Sequence, residues 1–152
     1  MSKAIKASPV PLFDRLTGTL QASSDGRLLD GGGLQHSLQL DLLRLFNVRN
    51  SLAIPEYLSS EPTVLSYGLP DMLGLSPQSD QDLETWSTVL QRCLARFESR
   101  LFHVRVEVRP DPDKPFNARA TISAVVMLGE QKCRVNFDVA LDARSVALGA
   151  GA

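Results

Sequence analysis

Strict alternation of apolar and polar residues through the last third of the chain limits its fold more than any other feature. Phe102, Val104, Val106 and Val108 alternate with His103, Arg105, Glu107 and Arg109. Ala118, Ala120, Ile122, Ala124, Val126 and Leu128 repeat the pattern, and Cys133, Val135, Phe137, Val139 and Leu141 repeat it again. A period of two sends successive side chains to opposite faces, so each stretch predicts a strand with one face buried and one wet. Gly129-Glu130 predicts a tight hairpin between the second and third strands. Three prolines between Pro110 and Pro115 predict the loop between the first and second. Three such strands form an antiparallel meander whose apolar face must be covered.

The cover is also legible. Leu83, Trp86, Val89, Leu90, Cys93, Leu94 and Phe97 fall on one stripe at helical spacing over 80–98. Asp80, Asp82 and Glu84 at its start, and Arg92, Arg96 and Arg100 towards its end, complement a helix dipole. A second helix is expected at 37–49, with Ser37 as N-cap and Leu38, Leu42, Leu45 and Phe46 on one face. Leu40 and Leu43 broaden that face. Between them, 50–79 contains Pro55, Pro62, Pro70 and Pro77 and reads as mostly irregular, which in a compact domain points to function or an interface. Pro70-Asp71 is placed to open one short helical turn.

The expected fold class is α+β: two layers, with helices packed on one face of a small antiparallel three- to four-stranded meander. Residues 1–33 are expected to form a flexible N-terminal region, with a loose tail over 1–11, one helical turn at Leu12 to Leu16 and a mobile loop over 17–33 ending in Gly31-Gly32-Gly33. Residues 34–142 make the domain, and 143–152 a frayed C-terminal tail.

Charge and composition narrow the function. The formal net charge is −1 with no local run of Lys or Arg, which argues against nucleic-acid binding. No stretch approaches the roughly 20 apolar residues of a membrane span, and the first eleven residues have no signal-peptide core. A cytoplasmic protein is the expectation. Cys93 and Cys133 lie on apolar stripes and read as buried free thiols of a reducing compartment. Two widely spaced cysteines and two histidines make no zinc signature, and no metal or cofactor is expected. The twelve Arg against four Lys are permissive of an interaction protein, because Arg is enriched in interfaces and Lys depleted.

Catalytic constellations are hard to find. Nucleophile elbow, P-loop, zincin and dinucleotide motifs are missing from the sequence. Gly31-Gly32-Gly33 lacks the Lys-Ser/Thr of a phosphate loop, and His36 and His103 stand alone. Glu98 is the one acid set among apolar neighbours, which leaves a muramidase-type glycoside hydrolase, with Glu98 as general acid, as the alternative reading. A general acid needs a raised pKa, whereas Arg96 and Arg100 nearby favour the carboxylate. The local chemistry suits a fixed ion pair or a docking point better, and no catalytic residue is assigned.

An open meander has two edges, and an edge strand can accept a strand from another chain. Lys132, Arg134 and Asp138 only partly protect the third strand.

Three segments carry a family resemblance. Ser37 to Arg49, with Ser37, Asp41, Leu42, Leu45, Asn47 and Arg49, resembles a motif S-x-x-x-D-L-x-x-L-L-N-T-R, with Val48 in place of Thr. Ile54-Pro55-Glu56-Tyr57 and Val64-Leu65-Ser66-Tyr67-Gly68-Leu69-Pro70-Asp71 resemble L-P-E-Y and V-L-N-Y-G-L-P-D. Phe97-Glu98-Ser99-Arg100-Leu101 followed by Val104-Arg105-Val106 resembles F-E-P-R-L and V-x-V. In this order and spacing over about 37–142 they resemble the TssE-like baseplate proteins of type VI secretion, related to a wedge protein of contractile phage tails.

The resemblance implies a structural baseplate subunit and no enzyme, although some family members carry a lysozyme label. It implies docking among other wedge proteins (TssF-, TssG- and TssK-like) at the inner face of the cytoplasmic membrane. It also implies templating of the first ring of the contractile sheath, built of TssB- and TssC-like subunits, by strand addition. Carried onto this chain, wedge docking falls on Glu98, Ser99 and Arg100, with Asn47 and Arg49. Ser99 stands where the family has Pro, which puts the rigidity of the corner in question. Glu98, Arg100, Asn47 and Arg49 either contact a partner or satisfy one another inside the domain. Strand addition falls on the backbone of Cys133, Arg134, Val135, Asn136, Phe137, Asp138 and Val139, with 102–109 as the other edge. Neither nucleic acid nor membrane insertion is implied.

Overall fold

The computed structural model describes residues 8–9, 28–29, 31–72, 74–141 and 146–148. Two short strands, β1 (Ser8–Pro9) and β2 (Leu28–Leu29), pair antiparallel. Three helices follow: α1 (Gly31–Asn47), α2 (Ile54–Ser59) and α3 (Asp80–Phe97). The chain then forms β3 (Phe102–Pro110), β4 (Ala118–Leu128), β5 (Gln131–Leu141) and β6 (Val146–Leu148). These four strands make one antiparallel sheet in sequential order, the expected meander. The expected turn at Leu12 to Leu16 lies outside the described residues.

The helices cover one face of the sheet. Leu34, Leu38, Leu42, Leu45 and Phe46 of α1, and Trp86, Val89, Leu90, Cys93 and Leu94 of α3, are buried in one core with Ile122, Val126, Phe137 and Val139. Burying each large apolar side chain contributes about 1.5–3 kcal/mol. Ala118, Ala120 and Ala124 on the central strand keep its covered face shallow, which leaves room for larger side chains from the helices and flanking strands. Ser79 caps α3 as such a residue should, its hydroxyl accepting from Asp82 N at 3.3 Å.

Besides β1 and β2, which pair inside segments read as loose tail and mobile loop, the structure departs from the sequence reading at five places. First, α1 begins at Gly31, so Gly31-Gly32-Gly33 is its opening turn rather than loop, and Ser37 lies inside the helix, buried. Glycine costs about 1 kcal/mol per position in a helix interior. Burial of Leu34, one turn before Leu38, offsets that cost. Second, Pro70-Asp71 opens no helix; the local bond is the turn from Leu75 N to Met72 O, 3.1 Å. Third, part of the irregular stretch is α2 and a 3₁₀ turn at Val64–Ser66.

Fourth, residues 146–148, read as frayed tail, pair with Val139, Ala140 and Leu141. Fifth, the alternation of β3 breaks at its start. Phe102 pairs with Val125 and Arg105 with Ser123, so two residues of β3 oppose one of β4, a β-bulge. His103 sits there at φ 50°, in the left-handed region that few residues other than glycine adopt. The bulge turns Phe102 onto the open face, where it is 49% exposed. The hairpin at Gly129-Glu130 agrees with expectation: Gly129 has φ 64° and only two residues separate Leu128 from its partner Gln131.

Candidate functional site

Two places matter: the corner between α3 and β3, and the outer edge of β5. The corner is built where α3 stops. Glu98 leaves helical geometry while its N–H still donates to Leu94 O at 3.0 Å. Two residues later, Arg100 folds back onto it. Arg100 Nε donates to Glu98 Oε1 at 2.8 Å, and one terminal nitrogen donates to Oε2 at 3.0 Å and to Asp41 Oδ2 at 2.5 Å. The other terminal nitrogen donates to Ser37 Oγ at 3.1 Å. The Arg100 backbone N–H also donates to Glu98 Oε1, at 3.2 Å. Asp41 is shared with Arg44, 2.9 Å away.

Burial alone would pull the Arg100 guanidinium pKa down. Hydrogen bonds and charge from Glu98 and Asp41 outweigh it and hold the pKa above its ordinary value. Asp41, Glu98, Arg44 and Arg100 sum to zero formal charge, and their mutual bonds lie within the domain. It fastens the end of α3 to the middle of α1. Only Ser99 of the three corner residues is exposed; the Arg100 side chain is 25% exposed and that of Glu98 8%. Both Glu98 oxygens accept from Arg100, the geometry of an anion held in place rather than of an acid poised to donate a proton.

Of the residues expected at this site, the structure joins Glu98 and Arg100. Asn47 Nδ2 instead donates to Leu43 O at 2.9 Å, and the Arg49 guanidinium donates to Phe46 O, both back into α1. Ser37 and Asp41 take the expected places of Asn47 and Arg49. They lie four apart on α1, hence on one face, but Gln39 and Arg44 are polar too, so the sequence does not single them out as partners of Arg100.

Beneath the corner lies a second hub that periodicity does not reveal. Gly68 has φ 97°, and a Cβ there would meet Val48 O at 2.3 Å. Its carbonyl accepts from Tyr57 Oη at 3.1 Å and from the Cys93 thiol at 3.5 Å. Beside it Leu69 N donates to Val48 O at 2.9 Å and Asn50 N to Leu69 O at 3.0 Å. Arg96 donates to Tyr57 O at 2.7 Å and Ser60 O at 2.5 Å, so the stretch following α1 is tied down on α3. Tyr67 meets Phe97 edge to face at 5.3 Å.

The sheet edges differ. The hairpin register pairs Gln131, Cys133, Val135, Phe137 and Val139 with β4 through their main-chain groups. The main-chain N–H and C=O of Lys132, Arg134, Asn136 and Asp138 therefore point outward. β6 covers only Val139 to Leu141, so 132–138 has no strand beside it among the described residues. On the opposite edge, β3 is already engaged by α3. Ser87 Oγ donates to Val106 O at 2.7 Å and Gln91 Nε2 to Val104 O at 3.3 Å.

Among the described residues, no three His, Cys, Asp or Glu side chains gather to hold a metal ion, and no helix is long and apolar enough to cross a membrane. No curated protein and no solved structure gives a significant match. The family model described as baseplate wedge protein gp25 matches residues 33–131.

Proposed function

Because this chain belongs to the baseplate wedge protein gp25 family, a structural baseplate family, we propose that it is a baseplate subunit of a type VI secretion apparatus that starts sheath assembly by strand addition. The observation that carries the reading is the row of outward main-chain groups on 132–138. A sheath subunit would complete that row with an added strand, as partners do at other open sheet edges. The β3 edge is the weaker candidate, since two of its outward carbonyls already have partners. The family match ends at Gln131 and covers the corner but not this edge, which stands on its own geometry.

Wedge docking belongs to the corner in this reading, with other wedge proteins (TssF-, TssG- and TssK-like) meeting Ser99, the exposed part of Arg100 and the adjoining surface. Glu98 supports it from inside by fixing Arg100. The subunit would act in the cytoplasm, in the baseplate at the inner membrane face.

The test is Asn136→Pro in the full chain. Proline removes one outward N–H and is tolerated on edge strands. The expected result is a folded protein that still enters the baseplate but no longer recruits TssB- and TssC-like sheath subunits, scored by co-purification and by electron microscopy of assembled sheaths. Sheaths of normal number and length would overturn strand addition at β5.

A further inference from the structure

The open face of the sheet, opposite the helices, carries a patch that neither the corner nor the β5 edge uses. Its apolar part is Phe102, 49% exposed, beside its cross-strand partner Val125, with Met127, 38% exposed, two residues along the same strand. Phe102 is there because of the bulge. With regular alternation it would have faced the core, and His103 holds φ 50° to turn it outward. A left-handed non-glycine residue that presents an aromatic ring to water marks a working surface better than a folding device.

The patch is ringed by cations. Arg134 is the cross-strand partner of Val125, Lys132 of Met127, and Arg105 of Ser123 in the next row. All three are exposed, and none is in an ion pair among the described residues. Acids elsewhere on this face are engaged: Glu107 holds Arg109, and Asp138 accepts from Thr121 at 3.2 Å. Glu130 lies off the strands, in the turn.

We propose that this face binds an acidic amphipathic helix of a partner protein. Apolar residues of that helix would cover Phe102, Val125 and Met127, and its carboxylates would meet Arg105, Lys132 and Arg134. Charge complementarity selects the acidic partner. A sheet face offers side chains and no main-chain groups, so a helix suits it, giving the sheet a layer on its second face as on its first. Strand addition uses the outward main-chain groups of β5, whereas this surface uses the side chains of Arg105, Lys132 and Arg134 on the sheet face.

The test uses the full chain and a labelled synthetic helix with leucines along one face and glutamates on the others, followed by fluorescence anisotropy. Saturable binding is expected, weakened roughly tenfold by Phe102→Ser and by Arg134→Glu or Arg105→Glu, and weakened by raising salt to about 0.5 M. Arg105→Glu, on β3 and away from the β5 edge, should leave sheath recruitment unchanged, so failure here and failure of strand addition are distinguishable. Absence of saturable binding overturns the proposal, as does equal binding of the same helix with lysines for glutamates. Preference for a single-stranded oligonucleotide, or self-association of the chain abolished by Phe102→Ser, overturns it as well. Thermal melts confirm folding; should Phe102→Ser melt early, the exposed Arg134→Glu change decides the outcome.

Discussion

The corner at 98–100 and the outer strand β5 are both rich in polar groups, and they dispose of them in opposite ways. At the corner, Glu98, Arg100, Asp41 and Ser37 satisfy one another across two helices. Along β5, the main-chain groups of Lys132, Arg134, Asn136 and Asp138 look outward with no strand beside them among the described residues. A buried polar group that loses its partner costs folding energy, whereas an exposed one that lacks a partner is solvated at little cost. Damage at the corner should therefore appear first as lost stability, and damage at the edge only as lost assembly.

The largest effect lies just beneath the corner. Gly68→Ala should cost about 3–5 kcal/mol in urea unfolding, because the φ of 97° and the 2.3 Å approach to Val48 O leave no room to relax. A loss near zero would mean that the connection between α2 and α3 is not held against Val48.

Next comes Arg100→Leu, expected to cost about 2–4 kcal/mol, since it leaves Glu98 buried without its cation. The partial exposure of Arg100 and Asp41 places the loss below that of a wholly buried pair. A double-mutant cycle of Glu98→Gln with Arg100→Gln should show coupling of about 1–3 kcal/mol. Wedge assembly by these variants has to be measured below their melting temperature; otherwise lost docking and lost folding are confused. Unchanged stability in Arg100→Leu would erase the contrast with β5.

Asn136→Pro sharpens the contrast from the other side. It should shift unfolding by less than about 1 kcal/mol, because the missing N–H had no strand partner. A large loss would show that the edge is covered within the domain.

The smallest expected effect concerns the two thiols. Burial pushes Cys93 up to about 12, from an ordinary value of 9.0, while Cys133 is only half-buried. At pH 8, iodoacetamide should modify Cys133 and spare Cys93 in the native protein. The folded pKa of Cys93 lies above the unfolded one, so its contribution is complete below pH 9 and lost as pH rises towards 12. A Cys93→Ala variant should show a shallower decline in stability between those values, read from urea midpoints.

How much was legible varies with the range of the interaction. The stripe of α3 and the alternation of β4 and β5 were readable almost to the residue, because each period is set by backbone geometry within the segment itself. The start of α1 was misread, because local glycine propensity argued for loop while Leu34 had a place in the core. The bulge at His103 was unreadable, since Phe102 continues the apolar period and only pairing with β4 reveals the extra residue. Glu98 and Arg100, two apart, were recognisable as a pair; Asp41, 59 positions earlier, was not.

What the sequence alone determined is the list of elements, their apolar faces, and a corner holding opposite charges, because periodicity and short-range charge need only neighbours in the chain. Tertiary structure decided which second acid joins Glu98 on Arg100, which sheet edge α3 engages, and which way Phe102 faces. Those outcomes depend on the separation and register of segments far apart in sequence, set only when the helix layer and the sheet close on a common core.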